Sequence, residues 1–296
     1  PGDLVFQFGV SHIDIELPSG EVRQYSLYNH PQDTNVYRVA VKKEPVSRGG
    51  SIYLHDQVAE GDFLRISLPR SNFLLVPEIS RHVLVAGGIG ITPLLAMAQQ
   101  LAAGGADFEL HYFVRSEQHA AFVELLRRAD LAGRVSLYLG ADAAETEAIL
   151  SRILEGQPRG THLYYCGPTP FMQAVLRCAT ARQWPPEMLH WEYFSPPDED
   201  TPADDGGNKP FTLRLASTNR EFVIPADKTA LQVLTENGVE VANSCQQGTC
   251  GSCVVKVVEG VPDNRDHFLS EFQKNAGKKV ALCISRAKTD VLAVEL

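Results

Sequence analysis

The stretch from residue 243 to 260, NSCQQGTCGSCVVKVVEG, places Cys245, Cys250 and Cys253 in one glycine-bearing loop that runs into a β-branched strand. Cys283 follows in VALCISRA and completes a C-x4-C-x2-C-x29-C pattern, the spacing of plant-type [2Fe–2S] ligand sets. Four thiolates must converge on two irons. Gly248, Gly251, Ser244 and Ser252 let backbone N–H groups come close to the sulfurs. Zinc sites built from four cysteines draw on two short-spaced pairs, and only one C-x2-C occurs here. As plain core residues, three thiols within nine positions would be a poor way to fill space. The pattern therefore predicts metal ligation by Cys245, Cys250, Cys253 and Cys283.

A second chemistry-bearing stretch is VLVAGGIGITPLL, a strand, a glycine turn and a helix. Gly87, Gly88 and Gly90 allow a ligand to approach the backbone. Thr92 and Pro93 read as N-cap and first helical residue, which leaves N–H groups aimed at a pyrophosphate. Pro93 stands where a full G-x-G-x-x-G has its third glycine, so alone the turn is also compatible with an ordinary strand-to-helix connection. LYYCGPTPFMQAV repeats the arrangement with Cys166, Gly167, Pro168, Thr169 and Pro170. Two such turns at one edge of a parallel sheet outline a dinucleotide crevice. Cys166 would face a nicotinamide ring there, although a buried small hydrophobe explains the residue by itself. FVRSEQ then offers Glu117 for a ribose hydroxyl and Arg115 for a 2′-phosphate.

The third group lies nearer the start. Arg23, Gln24, Tyr25 and Ser26 in RQYSL, with the glycine-led helix start Gly49, Gly50 and Ser51, suit a phosphate with an adjoining flat ring. Lys43 reads as a solvated surface residue.

These groups need elements to position them. The 296 residues, 44% hydrophobic, suffice for two or three domains, and no apolar run reaches membrane-helix length. A net charge of −9 argues against nucleic acid as a partner. Six cysteines in a long, core-rich chain point to a reducing, cytoplasmic setting rather than a disulfide scaffold. Residues 1–80 carry β signals: HIDIEL alternates, with Ile13, Ile15 and Leu17 on one face and His12, Asp14 and Glu16 on the other, and PSGE turns it into VRQYSLY. VYRVAVKK and DFLRISL read as two further strands of an antiparallel barrel that has too few strands to close. In residues 81–194, apolar strands alternate with helical stretches such as HAAFVELLRRADLAG, predicting a parallel sheet covered on both faces. Residues 195–209, rich in Pro, Gly and Asp, form a linker. Residues 210–296 return to short strands, one helix and the cysteine loop.

RQYSLYN, RGGS, LVAGGIGITP, YYCGP and HWEYF, followed by the cysteine pattern, resemble the phthalate dioxygenase reductase and vanillate O-demethylase reductase family over essentially the whole chain. The resemblance implies an FMN-binding barrel, an NADH-binding domain and a C-terminal β-grasp ferredoxin domain that supply electrons to a separate oxygenase. FAD and NADPH are the less favoured cofactor alternatives. It also implies about two further barrel strands ahead of residue 1. Carried over by position, Arg23, Tyr25 and Ser26 would hold the flavin, with Ser26 near its N5. Ala40 and Lys42 would line it, and Gly49, Gly50 and Ser51 would take its phosphate. Gly88, Thr92, Cys166 and Pro168 would frame NADH, while Phe194 would cover the flavin ring with Glu192 nearby. A hydride carries two electrons and the cluster accepts one, so a flavin between them sets the order of transfer. The rival readings are a flavin and iron–sulfur redox sensor and a stand-alone NADH dehydrogenase. The expected working form is a monomer that meets its oxygenase in solution.

Charge placement yields a prediction. Residues 209–296 hold 11 basic and 10 acidic residues, whereas residues 195–208 hold five acids and no base. A nearly neutral ferredoxin region steers a partner weakly over a Debye length of roughly 10 Å. Oxygenase turnover should therefore change only a few-fold between low and moderate salt. A hundredfold loss with NADH oxidation unchanged would show that steering dominates.

Overall fold

The computed structural model describes residues 10–30, 33, 35–45, 49–197 and 208–296. The chain divides into two compact units, Pro1–Glu192 and Tyr193–Leu296. Among the described residues no helix is long and apolar enough to cross a membrane.

The first unit begins with a hairpin, β1 (Val10–Glu16) and β2 (Val22–Ser26), and continues through the short helix α1 (Gly50–Asp56) to β3 (Arg70–Phe73). These strands form an antiparallel sheet in the order β2-β1-β3. VYRVAVKK and DFLRISL do not form the regular strands expected of them. They contribute single bridges, Leu27 to Val39 and Ile15 to Ile66. Around the second bridge, the Ser67 hydroxyl takes the Asp14 N–H at 3.0 Å, and a side chain thereby replaces the backbone acceptor that a ladder would use. Ile13, Ile15 and Leu27 make a small core with Tyr25, Tyr37, Val39, Leu54 and Leu64.

The alternation in β1 does not separate core from solvent. His12 and Asp14 are as buried as the isoleucines. Their face lies on the side of Val10 and Phe73, which share one core with the nucleotide-side elements. Those are β4 (Arg81–Gly87), α2 (Ile91–Ala103), β5 (Phe108–Val114), α3 (Val123–Leu126), β6 (Val135–Leu139), α4 (Ala143–Ile153), β7 (Thr161–Cys166), α5 (Thr169–Ala181) and β8 (Leu189–Glu192). The sheet is parallel, in the order β6-β5-β4-β7-β8. β4 and β7 are almost fully buried, as their apolar runs require. The helix expected over HAAFVELLRRADLAG shrinks to α3, because Phe122 adopts a left-handed backbone (φ 65°) to insert its ring beside Tyr28. Hydrogen bonds that tie the two parts together include Val76 N–H to the Tyr164 hydroxyl (2.9 Å) and Gln99 Nε2 to the Tyr28 carbonyl (2.9 Å).

The second unit contains β9 (Phe211–Leu215), β10 (Glu221–Ile224), α6 (Ala230–Glu236), β11 (Val254–Glu259), β12 (Pro262–Asp263), α7 (Glu271–Ala276), β13 (Lys279–Ala281), β14 (Arg286–Ala287) and β15 (Val291–Glu295). Its mixed sheet runs β10-β9-β15-β11-β13, with β9 and β15 parallel and α6 packed on a core that includes Leu213, Ile224, Leu234 and Val294. Each such side chain contributes about 1.5–3 kcal/mol by leaving water. α6 starts on a Thr229–Gln232 capping box. Arg286, buried three residues after Cys283, donates to the carbonyls of Lys209, Pro225 and Lys228.

Two buried histidines predict an acid weakness. His12, enclosed beside Arg70, has its pKa lowered to about 4, mainly by burial. His190, stacked on Tyr164 and hydrogen-bonded to His162, is lowered to about 4 by burial and by His162 and His82. Both stay neutral in the fold, while the unfolded chain takes up protons below about pH 6.5. Stability should thus be full above that pH and fall by roughly 2–4 kcal/mol as pH drops towards 4. Thermal melts across that range would measure it, and His190→Phe should flatten part of the slope.

Candidate functional site

The parallel sheet reverses its strand order between β4 and β7, and the two glycine turns lie at the carboxyl ends of those strands. They touch. A Cβ placed on Gly90 would collide with the Cys166 carbonyl, and one on Gly167 would lie 2.7 Å from the Phe171 ring and 3.1 Å from Gly87 Cα. Gly87, Gly90 and Gly167 are therefore required by the crossing of two chains. Gly88, at φ +54° with open space beyond it, is the position suited to ligand approach. Thr92 is not the N-cap it was expected to be. α2 starts two residues earlier, with Gly90 as its N-cap, and the Thr92 hydroxyl donates to the Ile89 carbonyl at 3.1 Å. Pro93 lies in the first turn, and α5 starts from Pro168. Neither helix has a side-chain cap. At α2 the Ile91 N–H is already taken by the Gly88 carbonyl of a preceding 3-10 turn, whereas α5 offers its first-turn N–H groups to an anion. Phe171, whose ring backs both turns, is a residue that motif reading passed over.

β8 runs beside β7 with Glu192 next to Cys166. Ser26, at the end of β2, donates its hydroxyl to Glu192 Oε2 at 3.3 Å. Burial pushes the Glu192 carboxyl up to about 7, against the pull of that hydrogen bond. Burial and the neighbouring Glu192 charge raise the Cys166 thiol well above its ordinary range, so the thiol is a neutral surface and not a nucleophile. Ser26, Cys166 and Glu192, distant in sequence, thus form one cluster at the strand ends.

Arg23 packs against the start of α1: a Cβ on Gly50 would fall 2.5 Å from Arg23 Cγ. Gly49 caps α1 at φ 89°, and Ser51 Oγ accepts the Glu44 N–H at 3.2 Å. The structure therefore gathers Arg23, Gly49, Gly50 and Ser51. Tyr25 is half-buried on the small core, Gln24 lies opposite Asp14, and Ala40 is half-exposed beside the Val39 bridge. Lys42 is exposed and paired with Glu44 at 2.7 Å. Lys43 is exposed too and pairs with Asp56, as a solvated residue should. Arg115 and Glu117 are exposed at the end of β5, and neither has an ion-pair partner among the described residues. Phe194 is exposed and belongs to the second unit.

In that unit the cysteines form two thiol pairs, Cys245 with Cys250 and Cys253 with Cys283. The hydrogen bond within the first pair lowers Cys245 to about 5, and that within the second lowers Cys253. Gln247 N–H points at Cys245 Sγ (3.4 Å) and Ser252 N–H at Cys250 Sγ (3.5 Å). Gly248 and Gly251 both take φ +74°, and a Cβ on Gly251 would fall 2.5 Å from the Phe268 ring. Among the described residues no group of three or more His, Cys, Asp or Glu is gathered around one point. A single zinc needs four sulfurs on one ion, whereas a binuclear cluster needs two pairs, so the arrangement fits [2Fe–2S].

Residues 213–288 match the 2Fe-2S iron-sulfur cluster binding domain, and residues 66–188 match the N-terminal domain described as dimethylamine monooxygenase subunit DmmA-like. The chain is 45% identical over its whole length to a vanillate O-demethylase oxidoreductase of Pseudomonas putida and covers 92% of that protein. It belongs to the vanillate O-demethylase oxidoreductase family. The phthalate dioxygenase reductase structure, described as modular for electron transfer from pyridine nucleotides to [2Fe–2S], shares 36% identity with this family member at a TM-score of 0.67. That match covers all of this chain and 90% of the other. An intact type IV self-sufficient cytochrome P450 monooxygenase contains a similar region, with 36% identity and a TM-score of 0.86. There the chain spans 38% of the longer protein.

The cysteine loop of this oxidoreductase generates a test. Gly251→Ala would strain a left-handed backbone and push into Phe268, at a cost of about 2 kcal/mol. Cluster absorbance per chain and the melting temperature of the second unit should both fall, while flavin content stays constant. Full cluster content would show that the loop tolerates the displaced ring.

Proposed function

We propose that this oxidoreductase is the reductase component of an oxygenase or O-demethylase system, passing electrons from NADH through FMN to a [2Fe–2S] cluster and on to a separate terminal oxygenase. The observation that carries the reading is the Ser26–Glu192 hydrogen bond, which joins the phosphate-and-ring side of the first unit to the crevice side beside Cys166. When bound, the flavin accepts a hydride and releases electrons singly, and the cluster carries one electron at a time.

The chain's own residues supply binding and placement. Arg23 with Gly49, Gly50 and Ser51 holds one phosphate, which favours FMN over FAD. Ser26 and Glu192 address the reactive edge of the ring, and a carboxyl whose pKa lies near neutrality can hold or give up a proton there. Gly88 and the uncapped starts of α2 and α5 receive the pyrophosphate. Cys166, neutral and buried, offers a flat surface to nicotinamide, with Gly167 and Pro168 beside it. Glu117 takes a ribose hydroxyl, which favours NADH, although Arg115 is free to meet a 2′-phosphate. Cys245, Cys250, Cys253 and Cys283 hold the irons. A cytoplasmic monomer is the expected working form, in keeping with cysteines that serve as cluster ligands and small core residues in a long, core-rich chain.

Anaerobic dithionite titration should consume three reducing equivalents per chain. Cys250→Ala should abolish cytochrome c reduction while NADH still bleaches the flavin. An endpoint at two, with no cluster signal by paramagnetic resonance in the unmodified protein, would defeat the reading. Comparing kcat/KM for NADH and NADPH, with Arg115→Ala as control, decides the nucleotide.

A further inference from the structure

One face of the β2-β1-β3 sheet is polar by sequence and buried by packing. His12 is 2% exposed, and neither of its ring nitrogens has a hydrogen-bond partner. Gln24 Nε2 and Arg70 Nε, on the same face, are also buried without partners. Leaving such groups dry costs about 1–3 kcal/mol each, so a cluster of them on one face calls for an occupant that can both donate and accept.

Register identifies what that occupant would join. His12 lies opposite Ser26 on β2 and opposite Arg70 on β3. Leu27 N–H donates to the Ser11 carbonyl, so the Ser11–Leu27 pair is the hydrogen-bonded one. His12 and Ser26 then form the adjoining pair without ladder bonds, in which side chains approach most closely, with Cβ atoms about 5 Å apart. The Ser26 hydroxyl proton is committed to Glu192, but its oxygen can still accept. The charged groups facing His12 are Asp14 on its own strand and Arg70 on β3, which pair with each other, and Glu192 of β8 beyond Ser26.

We propose that this face encloses an internal water site bounded by His12, Gln24 and Arg70, and that His12 acts through it as a positioning residue for the Ser26–Glu192 pair. Neutral His12 donates to the water and the water donates to Ser26 Oγ. A hydroxyl that accepts a hydrogen bond donates a stronger one, so the relay favours the ionised Glu192 carboxylate. The relay rests on the proposed hydride-transfer reading only for its bearing on catalysis.

The test reads the carboxyl itself, in the full chain and without turnover. The Glu192 C=O stretch is identified as the infrared band missing from Glu192→Gln, and its titration is followed with pH. His12→Phe, which keeps bulk and removes the hydrogen bonds, should move the midpoint up by about 0.5 pH unit or more, a threefold change in proton affinity. His12→Asn, which retains a donor and an acceptor, should remain near the unmodified protein. An unmoved midpoint in His12→Phe, or an equal shift in both variants, overturns the proposal. Should His12→Phe fail to fold, a high-resolution crystal structure of the unmodified protein decides: a water within hydrogen-bond distance of both a His12 ring nitrogen and Ser26 Oγ supports the relay, and a dry face refutes it. The reductase reading fails by a different result, the missing third reducing equivalent.

Discussion

The packing of Val10, Phe73 and Leu75 onto α2 and β7 is the constraint on which the first unit depends. A three-stranded sheet is too small to hold a site by its own core, since three strands need another layer to bury one face. By sharing the core of the parallel sheet, the strands acquire that layer, and Ser26 is delivered to Glu192. The polar faces of β1 and β2 are enclosed as a result, which accounts for the depressed basicity of His12 and the raised pKa of Glu192. One packing event therefore sets both the geometry and the electrostatics of the strand-end cluster.

At the same edge, backbone crowding has chemical consequences. The turns after β4 and β7 approach so closely that three glycines are fixed by sterics, and only Gly88 remains turned outward. The helix starts are left uncapped where a donor to an anion is useful, whereas α4, α6 and α7 all carry capping boxes. An uncapped end forgoes about 1 kcal/mol of stability, a cost tolerated where the N–H groups have another task.

Features dictated by covalent geometry or by period were legible in the sequence. The cysteine spacing, the apolar strands of the parallel sheet and the glycine turns could be read directly, because metal ligation, two-sided burial and close approach each admit few residue types. Thr92 misled because Gly90 can begin the helix before a better cap is reached. The strands expected over 36–43 and 62–68 reduce to single bridges, and beside the second of these the Ser67 hydroxyl takes the Asp14 N–H. HIDIEL gave its faces correctly but not their surroundings, since alternation reports polarity and is silent on what a second layer will cover. For the same reason His12 did not stand out, although the hairpin register that places it opposite Ser26 follows from the PSGE turn.

Arg286 has a consequence for portability. By binding the carbonyls of Lys209, Pro225 and Lys228, it fastens the opening segment of the second unit's sheet to the strand that follows Cys283. Asn208 is fastened in turn to Arg265 at 2.8 Å. The surroundings of the fourth cysteine are thus held by bonds internal to the second unit, which also draws Tyr193, at its start, onto the His267 ring. In evolutionary terms, such a module can be spliced behind different partners without re-solving its own interior.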